Sequence, residues 1–231
     1  KNAAIITPQS SDYQRLQQAF ANSWASKGGN LVSQSTFGGD TDYADVIKRL
    51  MAIDSSEARR DSIVDLLPRS RVEFTPRRRR DIDFIFLIAN PREGRQIKPT
   101  LAFYFAGDIP VYALPSIYDG LDNPSVNQDL NGIVFTDAPW ILTGYDPLKT
   151  NAASSLRPAQ GPVQRFRAMG IDSFRLYARL QQFNDGDIAT LPGATGILSM
   201  DENGRIHRRL EVARFIEGKA TLEDRAGTAS D

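Results

Sequence analysis

The chain has 231 residues, of which 41% are hydrophobic and 24% charged, enough for one large domain or two small lobes with cores of their own. Its 28 basic and 28 acidic side chains balance, so no chain-wide field favours nucleic acid or an anionic membrane as a partner. The absence of cysteine excludes disulfides, thiolate metal sites and thiol nucleophiles. No apolar run is long enough to span a bilayer, and we expect any export or anchoring signal to lie outside this sequence.

Predicted strands and helices alternate through residues 1–138. Short apolar runs at 3–7, 31–37, 82–89, 111–114 and 132–135 predict strands, and the unbroken run at 82–89 is typical of a strand buried on both faces. Apolar residues at helical spacing lie between these runs, in the sets Tyr13, Leu16, Phe20 and Trp24; Tyr43, Val46, Ile47, Leu50 and Met51; Ile63, Val64, Leu66 and Leu67; and along residues 91–105. The alternation predicts an α/β lobe, with one parallel sheet flanked by helices on both faces.

The pattern changes after residue 138. A polar, proline-containing stretch leads to residues 162–183, which predict one or two helices interrupted at Gly170. Residues 195–217 predict a β-hairpin around a turn at 201–204, and residues 219–231 predict a disordered tail.

One helical segment and one hairpin cannot bury their apolar faces against each other well enough to form a domain of their own. We therefore assign residues 139–218 to the hinge, return helix and hairpin of a second, incomplete lobe. An apolar surface should stay exposed on it, at Phe166, Phe174 and Leu180 among others.

Catalytic and metal-binding patterns are weak. His207, the one histidine, alternates with its neighbours as a hairpin strand residue does, and it has no evident orienting partner. Asp40, Asp42 and Asp45 have a spacing that suits a cation, but a helix cap at Asp40 or Thr41 explains them better. We expect no enzyme activity, no metal and no cofactor.

Two groups of residues are candidates for contact with a partner or for the lining of a cleft. Arg77, Arg78, Arg79 and Arg80 form a cationic run that suits an acidic protein surface or an anionic cell-wall polymer, although a solvated loop before a buried strand is the simpler and favoured explanation. Tyr112, Ser116 and Tyr118 lie around the carboxyl end of a predicted strand, where α/β sheets place ligand contacts. Trp140, at the predicted hinge, would either line a cleft or pack.

A series of short segments resembles the LpoA family of lipoproteins in order and spacing. The segments are DFIFL at 83–87, QIKP at 96–99, FYFAGDIPVYA at 103–113, DLNGI at 129–133, DAPW at 137–140, MGID at 169–172 and GATG at 193–196. The resemblance extends over nearly the whole chain, to about residue 218, and it concerns the C-terminal domain of that family.

The resemblance implies a type I periplasmic-binding-protein-like fold and a non-catalytic periplasmic activator of a bifunctional class A penicillin-binding protein, a peptidoglycan synthase. It also implies an outer-membrane lipoprotein that touches the membrane only through a lipid anchor outside this sequence, and no nucleic-acid partner. The alternative is a periplasmic protein that binds a small amino acid or amide between its lobes. Convergent polar side chains and an aromatic shelf at the strand ends would favour that alternative, whereas a filled groove would favour the activator.

Overall fold

The computed structural model describes residues 1–66, 73–142, 149, 157, 161–186 and 188–223. The chain divides into two compact units, residues 1–113 and 114–231. This division falls earlier than the predicted lobe boundary at 138, and the assignment of residues 139–218 to another lobe stays a prediction.

The first unit alternates strands and helices as the sequence predicts. Its elements are β1 (Asn2–Pro8), α1 (Ser11–Ser26), β2 (Asn30–Phe37), α2 (Tyr43–Leu50), α3 (Ile53–Leu66), β3 (Phe84–Leu87), α4 (Pro91–Phe103) and β4 (Val111–Ala113). The strands are parallel and lie in the order β2-β1-β3-β4. The predicted parallel α/β arrangement is therefore confirmed for the first four of the predicted strands.

Both faces of this parallel sheet are covered. On one face, the ring of Phe20 in α1 stacks on Phe86 at a centroid distance of 4.1 Å, and Trp24 meets Phe84 edge-on at 5.0 Å. Ile85 and Leu87 alternate with those phenylalanines, so they point to the opposite face, and both are fully buried. The unbroken apolar run of β3 is thus explained by a layer on each side of it.

Helix α3 departs from the prediction. The apolar residues expected to cover the sheet, Ile63, Val64 and Leu66, are 47%, 41% and 79% exposed, while Leu67 lies outside the described residues. The buried residues of α3 are Ile53 and Ser56 in its first turns, which pack beside α2. The later turns do not face the sheet, so the helical spacing of their apolar residues is a wrong predictor of burial here.

The second unit is largely antiparallel. Its elements are β5 (Val134–Asp137), α5 (Pro139–Leu142), α6 (Pro162–Tyr177), α7 (Leu180–Asn184), β6 (Leu191–Pro192), β7 (Ile197–Met200), β8 (Ile206–Arg209), β9 (Glu211–Ile216) and β10 (Lys219–Leu222). Strands β6, β7 and β8 form one small antiparallel sheet, and β9 pairs antiparallel with both β5 and β10. The break between the two helices falls after Tyr177, not at Gly170, which lies inside α6.

The predicted hairpin at 195–217 is correct for β7 and β8 and wrong for the residues that follow. Strand β9 leaves that sheet and pairs with β5, the strand predicted at 132–135. Phe215 of β9 stacks on Phe135 at 5.0 Å and meets Tyr118 at 5.8 Å. The expectation that the hairpin lacks a sheet therefore fails for β9, because its sheet partner is distant in sequence.

The predicted tail at 219–231 is wrong for its first residues. Glu217 and Gly218 have φ angles of 51° and 71°, which suit the two-residue turn that joins antiparallel strands, and β10 pairs with β9 beyond it. A side chain at position 218 would meet the carbonyl oxygen of Pro124 at 2.6 Å, so glycine is required there on steric grounds as well. Residues 224–231 lie outside the described residues.

Candidate functional site

The carboxyl ends of the parallel strands of the first unit surround a pocket. Strand β1 lies between β2 and β3, so the connections that leave β1 and β3 at their carboxyl ends diverge, and a crevice opens between such strand ends. The carboxyl-edge pocket has a volume of about 560 Å³. Among the residues that line it are Gln9, Phe37, Thr41, Asp42, Tyr43, Asn90, Arg92, Glu93 and Gln96.

Several polar groups of the carboxyl-edge pocket already finish local structure. Asp42 accepts a hydrogen bond from the backbone N–H of Ala44 at 2.8 Å and caps α2, so the cap is Asp42 and not Asp40 or Thr41. Asn90 and Glu93 form a reciprocal capping box at the start of α4, with donor–acceptor distances of 2.8 and 3.0 Å. One oxygen of each of these side chains is therefore engaged in capping without any ligand.

One aromatic pair borders the same pocket. The ring of Tyr43 meets Phe37 edge-on at 5.5 Å, and Phe37 is buried. Burial raises the pKa of the Tyr43 phenol, and the nearby Glu93 carboxylate raises it further while Arg92 opposes the rise. The tyrosine is thus a neutral hydrogen-bonding group at physiological pH.

The arginine run is not a uniform cationic surface. Arg78 donates to both carboxylate oxygens of Asp108 at 2.9 and 2.6 Å. Arg79 holds both oxygens of Asp81 at 2.7 and 2.6 Å and also donates to the carbonyl oxygen of Val32, and the hydrogen bond from Arg79 lowers the pKa of Asp81.

The two outer arginines differ from the two inner ones. The side chains of Arg77 and Arg80 are exposed, and neither guanidinium forms an ion pair with any described residue. The charge available to a partner is therefore that of Arg77 and Arg80, while Arg78 and Arg79 are already paired.

These unpaired cations border a second pocket, at the opposite edge of the sheet. The arginine run precedes β3 and Asp108 precedes β4, so both lie at the amino ends of the strands. The amino-edge pocket has a volume of about 650 Å³ and is lined by Thr75, Pro76, Arg77, Arg78, Arg80, Phe105 and Asp108. The sequence predicted the arginines as contacts but gave no sign that Phe105 lies beside them.

The remaining predicted contacts are separated in the structure. Tyr112 lies within β4, is 44% exposed and meets Phe84 edge-on at 5.5 Å. Ser116 is exposed in the 3₁₀ turn Pro115–Ile117. Tyr118 and Trp140 are buried, and their polar atoms donate to Asp122 at 2.9 Å and to Gln164 at 2.9 Å.

Tyr118 is buried among other side chains. Burial raises the pKa of its phenol above the ordinary range, and the hydrogen bond to Asp122 adds to the rise. Tyr118 also packs against Phe135 at 5.6 Å. In this structure Tyr118 and Trp140 have packing roles, and none of the predicted contacts other than the arginines lines either pocket described above.

Helix α6 is held in place by two acidic side chains to which the sequence analysis gave no structural role. Asp137, 1% exposed at the end of β5, accepts two hydrogen bonds from Arg165, whose guanidinium also donates to the carbonyl oxygens of Pro115 and Tyr118. Removing a carboxylate from water costs free energy, and the hydrogen bonds from Arg165 offset that cost for Asp137.

The second anchor is Asp172. It is buried and accepts from the backbone N–H of Ala194, from that of Thr195 and from the Thr195 hydroxyl, at 2.6 to 2.7 Å. A Cβ atom at Gly193 would lie 2.6 Å from this carboxylate, so the loop approaches closely because it has glycine there. The segments 137–140, 169–172 and 193–196 singled out by the resemblance are thus parts of one structural network.

Apolar side chains are exposed along α6 and at the start of α7. Phe166, Phe174 and Leu180 are 66%, 80% and 39% exposed, which confirms the predicted exposed surface at these positions. Phe183 is the exception, because it is buried against Leu191 and Leu198.

The one histidine of the chain lies on the surface. His207 is 61% exposed in β8 and contacts Asp201 at 2.8 Å, and that contact lowers the pKa of Asp201. No group of three or more potential metal-ligating side chains comes together in the part of the chain that the structure describes. No described helix is both long and apolar enough to cross a bilayer.

The parallel α/β unit has a crevice at its switch point, and its structural neighbours place the fold in the class of periplasmic-binding-protein-like domains. The C-domain of LpoA from Haemophilus influenzae, a regulator of PBP1A, superposes with a TM-score of 0.67 at 20% identity, over 97% of this chain and 62% of that one. A putative branched-chain amino acid ABC transporter from Chromobacterium violaceum gives a TM-score of 0.61 at 23% identity, over 93% of this chain and 59% of that one. These likenesses show the fold.

The sequence shows the family. Residues 1–218 match the model of the family described as "LppC putative lipoprotein", and the chain belongs to that family. It is 29% identical over 210 residues to the penicillin-binding protein activator LpoA of Vibrio antiquarius, covering 90% of this chain and 34% of that protein. The LpoA of Photobacterium profundum is 30% identical over 221 residues, covering 94% and 35%. The chain thus spans about a third of the length of these relatives, and the predicted resemblance is confirmed.

Proposed function

We propose that this chain is part of a non-catalytic activator that stimulates a bifunctional class A penicillin-binding protein and so regulates peptidoglycan synthesis from the outer membrane. The observation that carries the proposal is the match of residues 1–218 to a lipoprotein family whose curated relatives are named penicillin-binding protein activators. Membership of a lipoprotein family supports attachment to the cell envelope, with the folded part in the periplasm.

An activator of this kind needs no reactive groups of its own. It acts by binding one conformation of the synthase more tightly than another, and a difference of about 1.4 kcal/mol in binding free energy changes the ratio of the two conformations tenfold. A protein surface of moderate size supplies such a difference. The naming of the relatives as activators and of one structural neighbour as a regulator supports this non-catalytic mode of action.

The test uses the complete protein, with its lipid anchor removed for solubility, and purified class A synthases. We expect the protein to bind a synthase in a pull-down and to raise its rate of glycan polymerisation or crosslinking, without turnover of lipid-linked precursor by itself. The matched control is the same protein with the region of this chain deleted. Failure of the complete protein to bind or stimulate any class A synthase would overturn the proposal.

A second candidate is a periplasmic receptor for an amino acid or amide. The carboxyl-edge pocket favours it, because the pocket lies where α/β sheets bind ligands and has the Phe37–Tyr43 aromatic pair at its border. The capping roles of Asp42, Asn90 and Glu93 weigh against it, because one oxygen of each side chain is already engaged by backbone N–H groups. Calorimetric titration of the complete protein with a panel of amino acids and amides separates the two candidates, and tight binding of one of them would favour the receptor.

A further inference from the structure

The amino-edge pocket combines features that neither the fold nor the helix ends require. It brings together Phe105 and the guanidinium groups of Arg77 and Arg80, which have no ion-pair partner among the described residues. Arg78 and Asp108 also line it, and one guanidinium nitrogen of Arg78 donates to both carboxylate oxygens of Asp108. Because that pair is internally neutral, the net charge that the pocket offers is positive and comes from Arg77 and Arg80.

The backbone at Phe105 is strained. Helix α4 ends in a Schellman motif, in which the backbone N–H of Ala106 donates to the carbonyl oxygen of Leu101 at 2.8 Å and that of Phe105 to Ala102 at 3.1 Å. Phe105 occupies the left-handed position of this motif with a φ of 61°, where glycine is the usual residue. Of the non-glycine residues with positive φ that the structure describes, the other two are Ala52 and Glu217, so Phe105 is the only bulky apolar one.

Burial of the Phe105 ring offsets little of the free-energy cost of this strained backbone conformation. The ring is 59% exposed, so the folded chain recovers only part of its apolar burial. Strained residues are retained where the conformation serves another purpose, and an exposed aromatic ring beside unpaired arginines suits the recognition of a partner.

We propose that the amino-edge pocket is a docking site for a peptide segment of the synthase that carries a carboxylate beside an apolar side chain. The carboxylate pairs with Arg77 and Arg80, and the apolar side chain covers the ring of Phe105. This inference rests on the proposed activator function and names the surface through which this chain takes part in it.

The chemistry of the pocket favours a peptide over an anionic glycan polymer. A polyanion would use the two free guanidinium groups but would leave the Phe105 ring in water. A volume of about 650 Å³ holds a few side chains, which is the scale of a short peptide anchor. Arginine and aromatic side chains together are the residues that carry most binding energy at protein interfaces.

The first arm of the test removes the free charges. In the complete protein, we compare Arg77→Ser/Arg80→Ser with Arg208→Ser/Arg209→Ser, a control that removes the same charge from exposed positions of β8 in the other unit. Binding to the soluble periplasmic part of the synthase is measured by calorimetry at low and at high salt. We expect the first variant to weaken binding about tenfold at low salt and less at high salt, because exposed charges are screened, while the control stays near wild type.

The second arm removes the ring and relieves the strain in one change. Phe105→Gly should weaken binding about fivefold to tenfold with little dependence on salt, while the melting temperature stays the same or rises. A fall in binding together with a fall in melting temperature would indicate a structural role for the ring and would count against the proposal.

The outcomes separate this inference from the activator proposal. If the wild-type protein stimulates the synthase and both variants bind it with unchanged affinity, the docking site is wrong and the activator stands. If the wild-type protein does not bind or stimulate any synthase, the activator proposal itself fails. Synthetic acidic peptides from the periplasmic part of the synthase should compete with it for the wild-type protein, and competition by an anionic glycan polymer alone would overturn the choice of a peptide.

Discussion

The two ends of helix α4 follow the rules of helix termination to different degrees. At its start, Asn90 and Glu93 satisfy each other's backbone donors in a capping box, and Pro91 occupies the first turn, where a missing N–H costs nothing. At its end, the hydrogen bonds of the Schellman motif are complete, but Phe105 stands at the position that favours glycine. The first end is optimised for stability, and the second is not.

The same contrast separates the pockets to which these ends belong. At the carboxyl edge, Asp42, Asn90 and Glu93 each use one side-chain oxygen for capping. At the amino edge, the guanidinium groups of Arg77 and Arg80 have no ion-pair partner among the described residues, and Phe105 keeps a strained conformation. The position of a pocket in the fold is therefore a poor guide to function on its own. The carboxyl-edge pocket has the position that is typical of ligand sites, yet three of its polar side chains cap helices.

The largest expected effect is at the start of α4. Asn90→Ala removes the oxygen that accepts from the backbone N–H of Glu93 and so breaks the capping box. We expect the free energy of unfolding to fall by about 1–2 kcal/mol. Asn90→Asp is the matched control, because its carboxylate still accepts from the N–H of Glu93 and suits a helix N-terminus. Urea unfolding followed by circular dichroism measures both. Equal stability of the two variants would show that the capping box does not stabilise this end.

A smaller effect of opposite sign is expected at the end of α4. Phe105→Gly relieves the left-handed strain, so the free energy of unfolding should rise by up to about 1 kcal/mol. Phe105→Ala is the control, because it removes the ring but keeps a Cβ atom in the left-handed conformation, and it should give no gain. Unfolding curves that place Phe105→Gly below Phe105→Ala would contradict the account of strain at this end.

Within the arginine run, Arg79→Ser should have a modest effect that depends on pH. It removes the pairing with Asp81 and the donor to the Val32 carbonyl, for a loss of about 1 kcal/mol or less, since the Asp81 carboxylate is 49% exposed and screened. Arg79 lowers the folded-state pKa of Asp81, so the pairing adds stability above the unfolded pKa of that carboxyl and loses it as pH falls through the folded value.

The measurement for Arg79 is the melting temperature of wild type and variant from neutral to acidic pH. We expect the gap between them to be largest at neutral pH and to narrow as Asp81 becomes protonated in both proteins. A gap that widens on acidification would mean that the pairing is not the source of the effect.

The smallest expected effect on stability is at the amino-edge pocket itself. Arg77→Ser/Arg80→Ser removes exposed side chains that lack a described ion pair, so the free energy of unfolding should change by no more than about 0.5 kcal/mol. Thermal unfolding of the variant beside wild type measures this directly. A loss well beyond that size would mean that these arginines stabilise the fold, and the contrast between free and paired arginines would disappear.

The fold of the first unit was predictable because its signals are local. The apolar runs of β1 to β4 and the helical periodicity between them identify each element, and α/β alternation leaves few topologies other than a parallel sheet. Helix α3 shows the limit of this argument. Its apolar residues Ile63 and Val64 keep the period of a buried face, yet the helix packs through its first turns and leaves them exposed.

The candidate site was less predictable, because it depends on pairing between distant residues. The arginine run was visible in the sequence, but only the fold brings Asp108 to Arg78 and so neutralises part of the run. Phe105 carried no local sign of a role, since neither its φ angle nor its neighbours across the pocket can be inferred from helical periodicity.

The sequence by itself determined the α/β class, the order of strands and helices in the first unit, the family and the exposed apolar face of α6, because periodicity and short motifs are properties of neighbouring residues. Only the tertiary structure decided that β9 joins β5, that Asp172 binds the loop at Ala194, and which arginines of the run have an ion-pair partner among the described residues. These are contacts between residues far apart in the chain, and they depend on how the packed elements close on one another, which no local pattern encodes.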